Sequence, residues 1–211
     1  MRKLLQRLLR KLAVWALHKN STELVVFYGW DWVELLREGM YEVVHSSLNA
    51  RRNTRWLKWD FALPLFLLGY HYDPTSSKFH ILLLAFKAFF RLLFSKKYPD
   101  ILIVSMVAVK PATAVFWAEI LNEAKRIHVY TTPVKETQKA AAEVFASTIK
   151  THKELKFDNP NQSPIKTVGE VMGNIVADLE IPGLKINEAL YKLDWKNILL
   201  SRVKSNLQRN E

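Results

Sequence analysis

The chain has no cysteine among its 211 residues and only six glycines. The lack of cysteine excludes disulfides, thiolate metal sites and a thiol nucleophile, and it fits a reducing compartment. The six histidines show no metal-ligand spacing, and no Gly-x-Ser-x-Gly motif is present. A zinc or catalytic pair formed by His71 and His80, which flank one loop, is the alternative. These residue types therefore predict no catalytic residue and no metal site.

Acidic residues are in the minority, with 20 Asp and Glu against 31 Lys and Arg, so the net charge is +11. This balance favours anionic partners such as nucleic acid, nucleotides, phosphorylated sugars or a membrane surface. No nucleic-acid-binding motif is recognisable, so we expect no nucleic acid among the partners. The alternative is that many of the lysines are simply solvated. Hydrophobic residues make up 49% of the chain, which predicts a folded core.

Residues 1–20 contain six basic residues and no acid, and their leucines recur close to the helical period. This pattern predicts a basic amphipathic helix. It is too short and interrupted to span a bilayer and lacks a signal-peptide cleavage site, so we expect it to be retained. The helix either packs its leucines on the body of the protein or lies on an anionic membrane. The mostly apolar segment 81–97, with Lys87 and Arg91 on one helical face, either covers a sheet or lies in a membrane interface.

The segment from Leu24 to Val44 organises the predicted fold. Leu24 to Tyr28 are apolar without alternation, which predicts a strand buried on both faces. Gly29 has no Cβ and allows a sharp turn, and Asp31 is a predicted N-cap for a helix that runs to about His45. A strand, a glycine turn and a helix form the frame in which many α/β proteins hold a phosphate.

Two further buried strands are predicted at 101–107 and 127–131, each preceded by predicted helices. Strands that alternate with helices imply a parallel sheet with right-handed crossovers, so the predicted class is α/β. Residues 137–152 are predicted to be helical, and residues 49–55 to form a loop. The predicted organisation is a basic amphipathic helix, an α/β domain, a linker and a small helical tail, at residues 1–20, 21–156, 157–165 and 166–211.

Three arginines crowd the predicted loop: Arg51, Arg52 and Arg55. An arginine cluster beside a strand-turn-helix unit can hold phosphate in a forked geometry. These three residues are therefore candidates for anion binding. The alternative is a solvated loop.

Four short segments follow the turn in a characteristic order, and with it they resemble the Mur ligases of peptidoglycan synthesis, in particular their central ATPase-type domain. The segments are Ala62-Leu63-Pro64-Leu65-Phe66-Leu67-Leu68-Gly69, Tyr98-Pro99-Asp100, Ser105-Met106-Val107 and Lys110-Pro111-Ala112. The similarity covers roughly residues 1–131 and, more weakly, 168–192. A full ligase has far more chain between those two blocks, and we recognise no counterpart of its C-terminal domain.

The resemblance implies a phosphate loop of the form G-x-x-G-K-[ST], in which amides cradle phosphate, lysine neutralises it and the hydroxyl holds Mg²⁺. Gly29 matches the first glycine, but Trp32, Val33 and Glu34 stand at the other three positions. Glu34 would repel a triphosphate by about 1 to 4 kcal/mol, depending on the local dielectric.

Three further positions that the resemblance implies also differ. Only Asp60 keeps an acid in the Lys58-Trp59-Asp60 segment, where the family has Asn-Asn-Glu. Ser105 stands where a glutamate would bind Mg²⁺, and a histidine expected near 132–136 has no counterpart. We therefore predict Gly29 and Asp60 as remnants of a cofactor site, no cofactor, and no ligation of amides. ATP and Mg²⁺ are expected only if the chain is an active ligase.

Four hypotheses follow. The first is a degenerate Mur-ligase-like protein that acts as a binding or regulatory partner of a UDP-sugar peptide or a cell-wall synthesis protein. The second is an active ligase with a rebuilt site. The third is a peripheral protein that binds an anionic membrane through residues 1–20 and 81–97, and the fourth is a decayed reading frame. The expected location is the cytoplasm, including the inner face of the membrane.

Overall fold

The structure is a computed structural model that describes residues 2–19, 21–30, 32–45, 47–94, 98–155 and 164–179, with side chains in the last range from 171 onward. Its centre is a five-stranded sheet in the order β2-β3-β1-β4-β5, and every pair of neighbouring strands is parallel. The strands are β1 (Glu23–Tyr28), β2 (Ala50–Arg52), β3 (Ile101–Met106), β4 (Ile127–Thr131) and β5 (Lys153–Glu154). The predicted α/β class with a parallel sheet is therefore confirmed.

Within the described residues seven α-helices surround this sheet, with a short 3-10 turn at Glu136–Gln138 before the sixth. They are α1 (Arg2–Lys19), α2 (Val33–His45), α3 (Ala62–Leu67), α4 (Lys78–Phe94), α5 (Pro111–Leu121), α6 (Lys139–Thr148) and α7 (Pro164–Asp178). The predicted boundaries of β1, α2, β3 and β4 agree with these to within about one residue. Asp31, the predicted N-cap of α2, lies outside the described residues.

The central strands are buried on both faces, as their unbroken apolar sequences predict. Leu24, Val26 and Tyr28 face one apolar layer with α5 and α6, where the Tyr28 ring stacks on Phe145 at 3.9 Å between centroids. Val25 and Phe27 face the opposite layer with α2 and α7. The alternation of side chains along one strand thus supplies both halves of the core.

The amphipathic helix α1 packs its leucine stripe on the body of the protein. Leu5, Leu9 and Leu12 are buried in a third apolar layer, which α1 forms with α3 and the inner side of α4. Its outer side carries the basic residues. Of the two alternatives for residues 1–20, packing on the body of the protein therefore applies to the apolar side of the helix.

Two local predictions are wrong. Residues 50–52, predicted as loop, form strand β2 at the sheet edge, because Ala50, Arg51 and Arg52 pair in register with Ile101, Leu102 and Ile103. The helix predicted over 137–152 ends at Thr148, and Lys153–Glu154 form the edge strand β5 beside Tyr130 and Thr131. Both strands are very short and depend on a neighbour for their backbone hydrogen bonds, a tertiary effect that local pattern does not reveal.

The predicted linker 157–165 falls mostly outside the described residues, and α7 begins at Pro164. The described end of α7 docks on α2 through Met172, Ile175 and Val176. The predicted helices after residue 179 lie outside the described residues.

Candidate functional site

The turn after β1 is held by main-chain hydrogen bonds from both sides. The Gly29 amide donates to the Met106 carbonyl at 3.0 Å, and the Trp30 amide donates to the Pro133 carbonyl at 3.0 Å. The Thr132 amide in turn donates to the Tyr28 carbonyl at 2.9 Å. The ends of β3 and β4 therefore engage the first two amides of the turn.

Gly29 is required by close packing as well as by its backbone angle. Its φ is +150°, and a Cβ at this position would lie 2.1 Å from Thr132 Oγ1 and 2.7 Å from the Thr132 carbonyl oxygen. The carbonyl oxygen belongs to the backbone and cannot rotate away. The segment directly after β4 thus occupies the space in which a side chain at position 29 would lie.

Trp32 begins the helical end of the turn in a left-handed conformation with φ +62°. It is the only non-glycine residue with positive φ in the described part of the chain. A bulky residue in this conformation costs about 1 to 2 kcal/mol relative to glycine. The backbone at this position therefore has the shape that glycine favours, although the residue is tryptophan.

Aromatic rings and lysines cover the outer side of the turn. The Trp30 and Trp56 rings meet edge to face with centroids 4.4 Å apart. Lys135 Nζ lies 4.0 Å from the Trp30 ring centroid, and Lys58 Nζ lies within 5.4 Å of both ring centroids. Cations over indole faces attract the ring quadrupole, so these contacts stabilise the cover. Val33, at the position expected for lysine, is fully buried beneath it.

A buried polar network surrounds Ser105 near the end of β3. Asn53 fixes it from one side: its Oδ1 accepts from the Ser105 amide at 2.9 Å, and its Nδ2 donates to the Ser105 carbonyl at 2.8 Å. Arg37 of α2 approaches from the other side and donates to Ser105 Oγ at 2.8 Å. Arg37 is also paired with Glu38 at 2.6 Å. A protein cation therefore lies against the hydroxyl at the strand end.

Arg37 is only 4% exposed. Burial lowers the pKa of Arg37 from its ordinary value, and the neighbouring Glu38 carboxylate opposes that shift. A guanidinium still remains protonated at neutral pH. The site beside Ser105 thus carries a fixed positive charge that the sequence analysis did not identify. The sequence does contain a sign of this buried charge, because Arg37 interrupts the apolar stripe of α2 formed by Val33, Met40 and Val44.

The three candidate arginines line one cleft of about 1040 Å³, but two of them also bind groups of the protein. Arg51 Nη2 donates to the Phe66 carbonyl at 2.6 Å, and burial lowers the pKa of Arg51. Arg52 lies 2.7 Å from a Glu38 carboxylate oxygen and stacks on the Tyr41 ring at 3.7 Å. Arg55 is exposed on the same cleft. The cleft therefore holds three guanidinium groups, of which Arg55 faces solvent.

Asp60 and Gly29 do not line that cleft. The Asp60 carboxylate accepts from Gln6 Nε2 at 3.1 Å, from Arg2, and from the Thr113 hydroxyl, so it links α1 to α5. Burial acts to raise the pKa of Asp60, but hydrogen bonds from Thr113 and Arg2 and the charge of Arg2 outweigh it, and the pKa is lowered. Asp60 therefore connects α1 and α5 in the structure.

No group of three or more His, Asp or Glu side chains in the described part of the chain is arranged to hold a metal ion. His128 Nε2 lies 2.7 Å from Glu23 Oε1 at the start of β1, and His71 lies on the cleft. His80 lies in the first turn of α4.

Comparison with known proteins gives limited information. No family model matches the chain, and no curated protein matches it. One solved structure that resembles it is the MurF ligase from Thermotoga maritima in complex with ADP, with a TM-score of 0.47 and 17% sequence identity. The match covers 74% of this chain and 33% of that chain, so the chain spans about a third of the MurF structure. This likeness is distant and carries no argument about what the chain binds or does.

Proposed function

We propose that the chain is a Mur-ligase-like α/β protein without ATP-dependent ligase activity, which acts by binding a partner in peptidoglycan precursor synthesis. The observation that carries the proposal is the state of the turn after β1. A phosphate loop presents its amides to the ligand, whereas the Gly29 and Trp30 amides donate to carbonyls of the protein. These two amides are therefore not available to a phosphate, which supports the proposal.

The side chains around the turn support the same proposal. A magnesium triphosphate needs a lysine for charge and oxygen ligands for the metal. Val33 is buried in the core and supplies no charge, and the Arg37 guanidinium lies against Ser105, where a cation would be repelled. These residues do not fit a magnesium nucleotide, and we derive no catalytic step for the chain.

Binding would use the cleft that the three arginines line, which the turn after β1 borders through Trp30 and Glu34. Its lining combines basic groups with aromatic rings, including Arg55, Lys58, Trp56 and Tyr70. Such a lining suits an anionic ligand that also carries planar or apolar parts. A UDP-sugar peptide has both features, and an acidic surface of a cell-wall synthesis protein has the first.

Calorimetric titration of the purified chain tests the proposal. Mg-ATP should give no binding heat, while a UDP-sugar peptide should bind, and Arg55→Ala should weaken that binding by about fivefold to tenfold. Tight binding of Mg-ATP would overturn the proposal. Release of phosphate from ATP in the presence of a UDP-sugar peptide, lost on Asp60→Asn, would establish the active-ligase hypothesis instead. A cooperative thermal unfolding transition is expected for a folded binding protein and not for a decayed frame.

A further inference from the structure

The outer side of α4 carries a continuous apolar stripe that faces solvent. Helical residues advance by about 100° each, which places eight large side chains of α4 on one side. Phe79, Phe86 and Phe94 are 76%, 60% and 79% exposed. The other members of this α4 stripe are Leu82, Leu83, Phe89, Phe90 and Leu93.

The opposite side of α4 explains the orientation of the stripe. Ile81, Ala85, Ala88 and Leu92 are buried against α1 and α3, and two of these four are alanines. The helix therefore docks through its smallest apolar residues and leaves its phenylalanines outside. Burial of a phenylalanine ring stabilises a protein by about 1.5 to 3 kcal/mol, so core packing alone would favour the reverse arrangement. An exposed apolar surface of this extent is typical of a binding surface.

Charge identifies the partner of this surface. Neither α1 nor α4 contains an aspartate or glutamate, and together they carry nine lysines and arginines. On the helical wheel Lys87 and Arg91 lie on one flank of the α4 stripe and Lys78 lies on the other. The two helices are in contact: Trp15 lies 6.0 Å from the Phe89 ring, and Lys19 donates to the Leu92 carbonyl. A second copy of the chain would bring like charges together, and a nucleic acid offers no apolar phase for the rings.

We infer that α4, with the adjoining outer side of α1, lies in the interface of a membrane that contains anionic lipids. The phenylalanine rings of the α4 stripe enter the boundary between headgroups and acyl chains, and the flanking cations bind lipid phosphates. Among the helices that the structure describes, none combines the length and the apolar content that a bilayer crossing requires. The inference goes beyond the proposed function and does not depend on the state of the turn after β1.

Vesicle sedimentation with the full chain tests the inference. The chain should bind vesicles of phosphatidylcholine with phosphatidylglycerol at low salt, bind phosphatidylcholine alone much more weakly, and dissociate as salt rises. Substitution of Phe79, Phe86 and Phe94 by serine should lower the partition coefficient by about a hundredfold. Val109→Ser, at a position 39% exposed after β3, is the matched control and should change it by less than about twofold.

A second pair of variants separates charge from apolar contact. Lys87→Glu should weaken binding by about tenfold. Lys139→Glu, which makes the same change of charge at the start of α6, should have less than about a twofold effect on binding. All these residues are exposed, so the thermal unfolding midpoints should match that of the parent chain.

Two results would overturn the inference. One is absence of binding to the anionic vesicles at low salt. The other is a dimer in sedimentation equilibrium without lipid that the triple serine variant converts to monomer, because that would show that a second copy covers the stripe.

Discussion

The turn after β1 and the α4 stripe differ in whether their groups find partners inside the protein. In the turn, two amides donate to main-chain carbonyls, Val33 is buried, and the neighbouring Ser105 is held by Asn53 and Arg37. On α4, by contrast, all five phenylalanines face solvent, while two alanines, Ile81 and Leu92 make the internal contacts.

This difference teaches that groups at the position where a fold usually binds its ligand can be engaged within the protein, while apolar groups elsewhere stay exposed. In α/β proteins the carboxyl ends of the strands usually hold the ligand. Here two amides at that position donate to carbonyls of the protein, whereas the exposed apolar side chains of α4 lie on an outer helix. Substitutions in the two regions can be compared through one quantity, the free energy of unfolding.

The largest effect is expected for Gly29→Ala. The new Cβ would meet the Thr132 carbonyl oxygen at 2.7 Å, and alanine disfavours φ +150°. We expect the free energy of unfolding to fall by about 3 to 5 kcal/mol, measured by urea denaturation. Gly173→Ala is the matched control, because a Cβ there has nothing within 4 Å and helix propensity favours alanine by about 1 kcal/mol. Equal stability of Gly29→Ala and the parent chain would show that the turn is open.

Arg37→Met should have the next largest effect. The change removes a buried charge from Glu38 and a hydrogen bond from Ser105, at a cost of about 2 to 4 kcal/mol in the free energy of unfolding. Arg55→Met, at an exposed position on the cleft, should cost less than about 0.5 kcal/mol. If Arg37→Met were the more stable of the two, Arg37 would not be part of a closed network.

Asp60→Asn should have an intermediate effect that depends on pH. The pKa of Asp60 is lowered in the folded state, so its contribution is fully present above the pKa of the unfolded chain and is lost as the pH falls through the folded value. At neutral pH the variant should lose about 1 to 3 kcal/mol of unfolding free energy through weakened bonds to Arg2, Gln6 and Thr113. The difference between the two proteins should shrink in acid; a constant difference would exclude a charged role.

The smallest effect is expected for Phe86→Ser. The ring is 60% exposed, so the free energy of unfolding should change by less than about 0.5 kcal/mol. The comparison between the two regions predicts this contrast with Gly29→Ala. A loss above about 2 kcal/mol would show that α4 packs more tightly than its exposure indicates.

The sequence predicts the scaffold well because the central strands are buried on both faces. Unbroken apolar runs such as Leu24 to Tyr28 are stable only where a strand is covered on both faces. The helices between these strands require parallel pairing. The edge strands β2 and β5 are not predictable in this way. Arg51 and Arg52 have low strand propensity, and only their pairing with β3 gives them strand geometry.

The candidate site is less predictable than the scaffold. The sequence shows that Trp32, Val33 and Glu34 replace glycine, lysine and a hydroxyl, but it does not show which atoms fill the space. The contact of Arg37 with Ser105 joins residues 68 positions apart, and the bonds of Asp60 to α1 span more than 50. Such partners follow from packing of helices on the sheet, which local spacing cannot supply.

The most direct test of the account is NMR spectroscopy of the Gly29 and Trp30 amides. Both should be protected from hydrogen exchange in the free protein, because they donate to Met106 and Pro133, and neither resonance should move when Mg-ATP is added. Rapid exchange of both amides, together with saturable shifts on addition of Mg-ATP, would contradict the claim that the protein itself occupies the phosphate-binding part of the turn.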